Sequence, residues 1–229
     1  FVNNQMNSKI KIKIKKSLIE NKSKKYFFGD DFNVAKSENS FIHYQDELGE
    51  IMLPQPNLIG DHQIYNISTS IAASRKIFNI SDAHIKNSMK KMRLKGRLEE
   101  IKSGKLKNLI GENRLIIDGG HNINSAISIS KWVKQQNEKV HLICGMMNDK
   151  PHKEFVNQFE NSVNSITLID IPNQEGSISK EEFKKKLDNK NILTANSIEE
   201  SLLMNKKDKN CIFLCAGSLY LAGEVLNLN

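Results

Sequence analysis

A chain of 229 residues is long enough to bury a substantial core and, on ordinary domain sizes, to divide into two small domains. Charged residues at 26% and hydrophobic ones at 38% exclude a disordered tail. No apolar run approaches the ~20 residues that cross a bilayer and no signal-peptide pattern opens the chain, so a cytoplasmic protein with no membrane partner is expected. The formal net charge of +8 rests on lysines scattered among acids, with no aromatic stacking series. That pattern predicts a solvated basic surface that attracts small anions, and no nucleic-acid partner. Cys144, Cys211 and Cys215 sit in apolar runs without zinc-type spacing and are expected to be buried thiols.

The chain starts at Phe1 rather than methionine, and we expect a fragment whose first half is missing. Over residues 10–18 the isoleucines fit both a strand (Ile10, Ile12, Ile14) and a helix face (Ile10, Ile14, Leu18), and a helix is the reading taken. Tyr26-Phe27-Phe28 and Phe41-Ile42-His43-Tyr44 read as short strands, with a turn at 46–49 leading back to Ile51-Met52-Leu53. A proline-punctuated loop follows, and Asp61 stands where a helix N-cap belongs. Ile64, Ile67, Ile71, Arg75 and Phe78 then mark one helix face. His62, Gln63 and Asn66 lie near its N-terminal turn, where the plain reading is local capping and hydrogen bonding. Ser81 caps a further helix whose apolar face is Ile85, Met89 and Met92. The stretch around Gly96-Arg97, with no amphipathic period through Gly104 and Gly111, reads as an interdomain connection. The predicted division is therefore residues 1–95, a linker at 96–113, and 114–229.

From Arg114 the pattern turns regular. Apolar runs at 115–117, 140–144, 166–171, 192–194 and 211–215 alternate with helical stretches at 124–136, 151–161, 179–188 and 197–205, and a last helix follows Gly217. Such alternation predicts an α/β fold, a Rossmann-like parallel sheet covered on both faces. The strand ends hold the chemistry: Asp118-Gly119-Gly120-His121-Asn122, then Gly145-Met146 with Asn148-Asp149-Lys150, then Gly217-Ser218-Leu219-Tyr220. Ligands bind at the carboxyl edge of such sheets. Gly119 and Gly120 are expected to supply backbone angles closed to other residues. No G-x-G-x-x-G follows the first strand, and no G-x-x-x-x-G-K-[ST] loop occurs. A chain using a nucleoside triphosphate would need its phosphate cradle elsewhere.

Leu53-Pro54 with Pro56-Asn57-Leu58 and Gly60, then His62-Gln63 and Asn66, Gly96-Arg97, Asp118-Gly119-Gly120-His121-Asn122, Gly145-Met146 with Asp149-Lys150, and Gly217-Ser218-Leu219-Tyr220-Leu221 occur in that order. Together they resemble the folylpolyglutamate synthase/dihydrofolate synthase family of the Mur ligase superfamily, over residues 27–226. The resemblance implies an ATP-dependent ligase that adds L-glutamate to dihydropteroate or folyl-polyglutamate through an acyl phosphate, with Mg²⁺ bridging the phosphates. It makes residues 1–95 the end of a central ATPase domain and 114–229 the C-terminal domain.

By the same resemblance Asn66 contacts the adenine side, Arg97 reaches the phosphates, and Asp118 contacts the nucleotide. His121 faces the phosphates and incoming amino acid as the catalytic residue, and Ser218 binds the glutamate substrate. The family's phosphate loop and metal ligands would precede Phe1, so the isolated chain is expected to be inactive, to hold no metal ligand and to be a monomer. The sequence departs from the family at Lys95, Gly120 and Ile123, where proline, alanine and proline are usual, and a looser turn after Asp118 is expected. Two other readings fit the same residues. One is a cell-wall peptide ligase, since the Asp-x-x-His-Asn turn is shared across the superfamily; the other is a truncated protein that only binds nucleotide or a partner.

Overall fold

The computed structural model describes residues 1–5, 7–37, 41–56, 58, 60, 62–78, 80–188 and 192–229. The chain divides into two compact units, Phe1–Arg93 and Leu94–Asn229.

In the first unit, α1 (Ser8–Glu20) takes the helical reading of the isoleucine run, capped by Asn7, whose side chain accepts from the Lys9 and Ile10 amides. None of its residues is buried. Lys15 and Lys11 tether it to Asp30 at 2.7 and 3.2 Å, and the two ammonium groups hold the Asp30 carboxyl below the usual range. Strands β1 (Phe32–Lys36), β2 (Phe41–Asp46) and β3 (Gly49–Pro54) form an antiparallel sheet in that order. The expected hairpin is β2–β3. The strand expected at 26–28 is reduced to single bridges, Phe27 with Val2 and Phe28 with Phe32, because the chain turns at once through Gly29 at φ +87°. The pairing strand is β1, which lacks the alternation that would have marked it.

Helix α2 (His62–Ile77) buries Ile64, Ile67 and Ile71 against Ile42, Tyr44 and Leu53. The N-cap expected at Asp61 lies outside the described residues. Phe78, expected on the buried face, is 60% exposed because the helix ends at Ile77. Arg75 is buried as an ion: its Nε lies 3.2 Å from Asp46 Oδ2, though not aligned for a hydrogen bond, and its Nη1 reaches Asp82. Helix α3 (Asp82–Lys91) is capped by Ser81 and buries Ile85 and Met89, as its spacing predicts.

The second unit opens with β4 (Glu99–Ile101) and α4 (Lys105–Leu109). This corrects the linker expected at 96–113. Ile101 and Leu106 are buried, β4 pairs antiparallel with β5, and the carbonyl and side chain of Asn229 accept from the Lys105 and Lys107 amides. A three-residue strand and a five-residue helix are too short to display a period, which is why the stretch reads as loop.

There follow β5 (Arg114–Asp118), α5 (Ile123–Val133), β6 (Lys139–Cys144), α6 (His152–Asn157), β7 (Ser165–Leu168), α7 (Lys180–Lys185), β8 (Leu193–Thr194), α8 (Ile198–Met204), β9 (Cys211–Ala216) and α9 (Leu219–Leu228). The sheet order is β4-β5-β9-β6-β7-β8, with every pair beyond β4–β5 parallel. The expected parallel α/β sheet is therefore present, with one antiparallel edge.

Both faces are covered. Along β9, Ile212 and Leu214 pack with Trp132, Phe155 and Phe183 of α5, α6 and α7, while Phe213 and Cys215 pack with Leu202, Leu221 and Val225 of α8 and α9. Each buried aliphatic side chain contributes roughly 1.5–3 kcal/mol. This two-faced core holds the strand ends rigidly in place. All three cysteines are free and buried, and burial pushes the Cys211 and Cys215 thiols up to about 11 and about 12. Among the described residues no helix is long and apolar enough to cross a membrane.

At the other end of the sheet His141 is 3% exposed. Its Nδ1 lies 2.8 Å from Ser165 Oγ and its Nε2 lies 3.0 Å from Asp208 Oδ2. Neutral imidazole satisfies both partners, with Nε2–H donating to the carboxylate and Nδ1 accepting from the hydroxyl. Desolvation outweighs the Asp208 charge and lowers the His141 pKa, and burial lowers that of His152 as well. The unfolded chain thus binds protons here more readily than the folded one, so stability rises with pH. Thermal unfolding is expected to move to lower temperature as pH falls through about 6.5, the ordinary histidine value, and His141→Gln is expected to flatten part of that dependence. A midpoint constant between pH 7.5 and 5.5 would show that neither histidine is protonated on unfolding.

Candidate functional site

Strand β5 delivers Asp118 to the carboxyl edge of the sheet, 6% exposed. Its Oδ1 accepts from the Gly120 amide at 2.6 Å and its Oδ2 from the Leu98 amide at 2.9 Å. One carboxylate therefore ties together two turns distant in sequence. The Gly119 amide donates back to the Gly96 carbonyl at 2.8 Å, and the same carbonyl accepts from Arg97 Nη1 at 3.1 Å. These contacts set the turn that carries Arg97 beside Asp118.

Gly119 and Gly120 are needed here for a different reason from the one expected. Neither has a left-handed φ. Space decides: a Cβ on Gly119 would lie 2.2 Å from Leu219 Cδ2 and 2.8 Å from Arg97 Nη1, and one on Gly120 would lie 2.7 Å from Ser125 Cβ. The alanine usual in the family at position 120 is excluded by Ser125, which forms a capping box with Asn122 at the start of α5.

His121 is half-buried, and its Nδ1 lies 2.9 Å from the Gly119 carbonyl. A carbonyl only accepts, so Nδ1 carries the proton and Nε2 is the acceptor nitrogen of the neutral ring. The Gly217 amide donates to the Gly120 carbonyl at 3.1 Å, joining the end of β9 to the turn after β5. Ser218 is 2% exposed and caps α9, its Oγ accepting from the Tyr220 amide at 3.1 Å. His121, Met147, Asp149, Lys150, Ser218 and Tyr220 line a cleft of about 290 Å³.

Lys150 and Asp149 pair at 2.8 Å, and that ammonium holds the Asp149 carboxyl below its usual range. The sequence placed Asp149-Lys150 at a strand end without a role. Their signals were position, a few residues beyond the end of β6, and a place in the motif series that carries the resemblance.

Four of the five implied site residues, Arg97, Asp118, His121 and Ser218, thus lie at one edge of one sheet. Asn66 belongs to the first unit, near the N-terminal end of α2. Its Nδ2 donates to Gln63 Oε1 at 3.1 Å and its Oδ1 accepts from Asn3 Nδ2 at 2.7 Å, while Gln63 Nε2 lies 3.0 Å from His62 Nε2. The Gln63 contacts are the local hydrogen bonds that the plain reading of those residues anticipated, whereas the Asn3 contact comes from 63 residues away. Among the described residues no group of three or more His, Cys, Asp or Glu side chains is placed to hold a metal ion.

The family model of the Mur ligase, glutamate ligase domain matches residues 96–219, more than half of the chain. The chain belongs to this family. A dihydrofolate synthase/folylpolyglutamate synthase of Buchnera aphidicola is 25% identical over 167 residues, 70% of this chain and 38% of the relative. A folylpolyglutamate synthase of Mycobacterium tuberculosis, solved with ADP and AMPPCP, superposes with a TM-score of 0.77 at 15% identity, covering 99% of this chain and 54% of that one. A bifunctional folylpolyglutamate synthase/dihydrofolate synthase solved with Mn, AMPPNP and L-glutamate gives 0.76 at 18% identity, covering 93% and 50%. The two structures share this fold, and the chain spans about half the length of the relatives it matches.

Proposed function

We propose that the protein containing this chain is an ATP-dependent carbon–nitrogen ligase that adds L-glutamate to dihydropteroate, to folyl-polyglutamate, or to both. The observation that carries this reading is the convergence of Arg97, Asp118, His121 and Ser218 at the carboxyl ends of two neighbouring strands, β5 and β9. In this reading Phe1–Arg93 is the end of a central ATPase domain and Leu94–Asn229 the C-terminal domain. The protein acts in the cytoplasm as a monomer.

The reaction has two steps. The γ-phosphoryl group of ATP passes to the acceptor carboxylate, giving an acyl phosphate and ADP; the deprotonated amine of glutamate then attacks the acyl carbon and phosphate leaves. Such chemistry needs position and charge neutralisation above all. Arg97 supplies a planar fork for two phosphate oxygens. Asp118 contacts the nucleotide, which its carboxylate can do while accepting two amides, since each oxygen takes more than one hydrogen bond. His121, anchored through Nδ1, takes the proton of the incoming amine on Nε2. Lys150 offers a cation, and Ser218 a hydroxyl, to the glutamate. Asn66 serves the adenine side.

A divalent metal, Mg²⁺ in this reading, would when bound neutralise charge that develops on the phosphoryl group. The resemblance puts its ligands outside this chain, and no step here runs through it.

Ligase assays on the complete protein as its gene encodes it are expected to show glutamate- and ATP-dependent product from dihydropteroate or folylglutamates. Product from cell-wall precursors alone would overturn the folate assignment. The DNA upstream of Phe1 is expected to encode, in frame, a glycine-rich loop ending in Lys-Ser or Lys-Thr; a stop codon there would sink the fragment reading. The chain by itself is expected to bind ATP more weakly than micromolar, since a glycine-rich loop at a helix start supplies much phosphate affinity. Tight ATP binding in calorimetry would contradict a cradle located elsewhere.

A further inference from the structure

Arg97 is held in a turn that ordinary side chains resist. Gly96 on one side has φ +63° and Leu98 on the other has φ +44°. A leucine rarely adopts this left-handed region, and one found there persists only when its surroundings impose it. Leu98 is 4% exposed and packs into the core cluster with Ile116 and Leu214, which anchors its side chain. The backbone on either side of Arg97 is anchored by two carboxylates. Asp118 Oδ2 accepts from the Leu98 amide, and Glu99 Oε2 accepts from the Gly96 amide at 2.7 Å.

The second carboxylate has no place among the residues that the family resemblance singles out. Glu99 begins the edge strand β4, opposite Ile117 of β5, and is half-buried. Its side chain turns back three residues to Gly96. That residue carries the guanidinium: its carbonyl accepts from Arg97 Nη1 at 3.1 Å and from the Gly119 amide at 2.8 Å. A connected path therefore runs from the Glu99 carboxylate to the Gly96 amide, through the Gly96 carbonyl, to the Arg97 guanidinium. Glycine is the residue whose backbone rotates most freely, so Gly96 is where this path needs a restraint. Little slack is tolerated, because the guanidinium lies against Gly119 so closely that even a methyl group there would come within 2.8 Å of Nη1.

We infer that Glu99 is a positioning residue for ligation, fixing Gly96 and through it the direction of Arg97. This rests on the reading of Arg97 as the phosphate-side arginine. The carboxylate acts as a hydrogen-bond acceptor towards the Gly96 amide, so glutamine, which keeps a carbonyl oxygen at the same reach, is a conservative replacement and alanine is not.

The test compares Glu99→Ala, Glu99→Gln, Arg97→Ala and the Glu99→Ala/Arg97→Ala pair in the complete protein, with turnover and thermal unfolding measured for each. Amide exchange at Gly96 is followed in the 229-residue chain. Glu99→Ala is expected to lower kcat about tenfold, since small misplacements of a reacting-centre group carry penalties of up to roughly a hundredfold. Glu99→Gln is expected to restore most of the activity. Gly96 exchange is expected to rise at least about tenfold in Glu99→Ala and to return towards the original rate in Glu99→Gln, as an amide does when its acceptor is lost and regained.

In the Arg97→Ala background, loss of Glu99 is expected to cost nothing further, because two groups acting through one path are not additive. A general loss of stability would instead multiply the two defects, and that outcome would overturn the inference. So would full turnover in Glu99→Ala alongside an impaired Arg97→Ala, which leaves the role of Arg97 standing. Unchanged turnover in Arg97→Ala would instead remove the reading on which the inference rests. Unchanged Gly96 exchange in Glu99→Ala would overturn the restraint itself, whatever the kinetics.

Discussion

Arg97→Ala is expected to lower turnover of the complete protein by about 10²–10³, the usual effect of removing one charge-stabilising donor from a transition state. Its melting temperature is expected to move by no more than a few degrees. The reason lies in what Arg97 touches. Its guanidinium is half-buried and bonds to the Gly96 carbonyl, which keeps the Gly119 amide as a second donor when the arginine is lost. A hydrogen bond from a charged guanidinium is worth about 1.5–3 kcal/mol, and partial exposure to solvent keeps this one at the low end. Arg97→Lys is expected to recover little, since an ammonium is a point charge and cannot present two parallel N–H groups to phosphate oxygens. Turnover of Arg97→Ala equal to that of the unaltered protein would refute the assigned role, and a collapse of folding would show the turn to be structural first.

Gly217→Ala is expected to give the largest loss of stability of any single methyl group added to the site. Gly217 has φ +115°, a conformation that side chains rarely adopt, and an added Cβ would lie 2.7 Å from the Gly145 carbonyl oxygen and 2.9 Å from Cys144 Sγ. The obstacle is backbone at the end of β6, which cannot swing aside as a flexible side chain does. Overpacking of this kind costs about 1–3 kcal/mol and the backbone strain about 1–3 more, a sizeable part of the ~5–15 kcal/mol that separates folded from unfolded chains.

Its amide also holds Gly120, so the cleft should distort even where the fold survives. Gly223→Ala is the control. It lies within α9 with nothing within 4 Å of an added Cβ, and alanine is expected to stabilise that helix by up to about 1 kcal/mol. Denaturant titration that placed the two variants on the same side of the parent protein would show this account of the strand ends to be wrong.

Much of the site is legible along the chain because each part is local. A branched apolar run ending in Asp118, two glycines and His121 before a helix cap needs only neighbours to be recognised as a strand feeding a turn. The same locality explains the errors. The glycines after Asp118 are selected by Leu219, Arg97 and Ser125, of which two are remote in sequence, so their reason was misread as backbone angle. Glu99 carries no sign of its reach to Gly96, because its strand is too short to reveal a period. Phe78 matched the helical spacing of α2 but lies beyond its last residue.

The sequence by itself determined the alternation of strands and helices, the burial of the cysteines, the presence of an acid and a histidine at a strand end, and the family. Those follow from periodicity, apolar runs and short motifs, which operate over a few residues. Only the tertiary structure decided that the last strand, β9, inserts between β5 and β6, the first two of the parallel set. Strand order depends on pairing between segments some 70 to 100 residues apart, whose energy is read out only when the sheet assembles. That insertion is what brings Ser218 beside His121 and seats Lys150 across the same cleft.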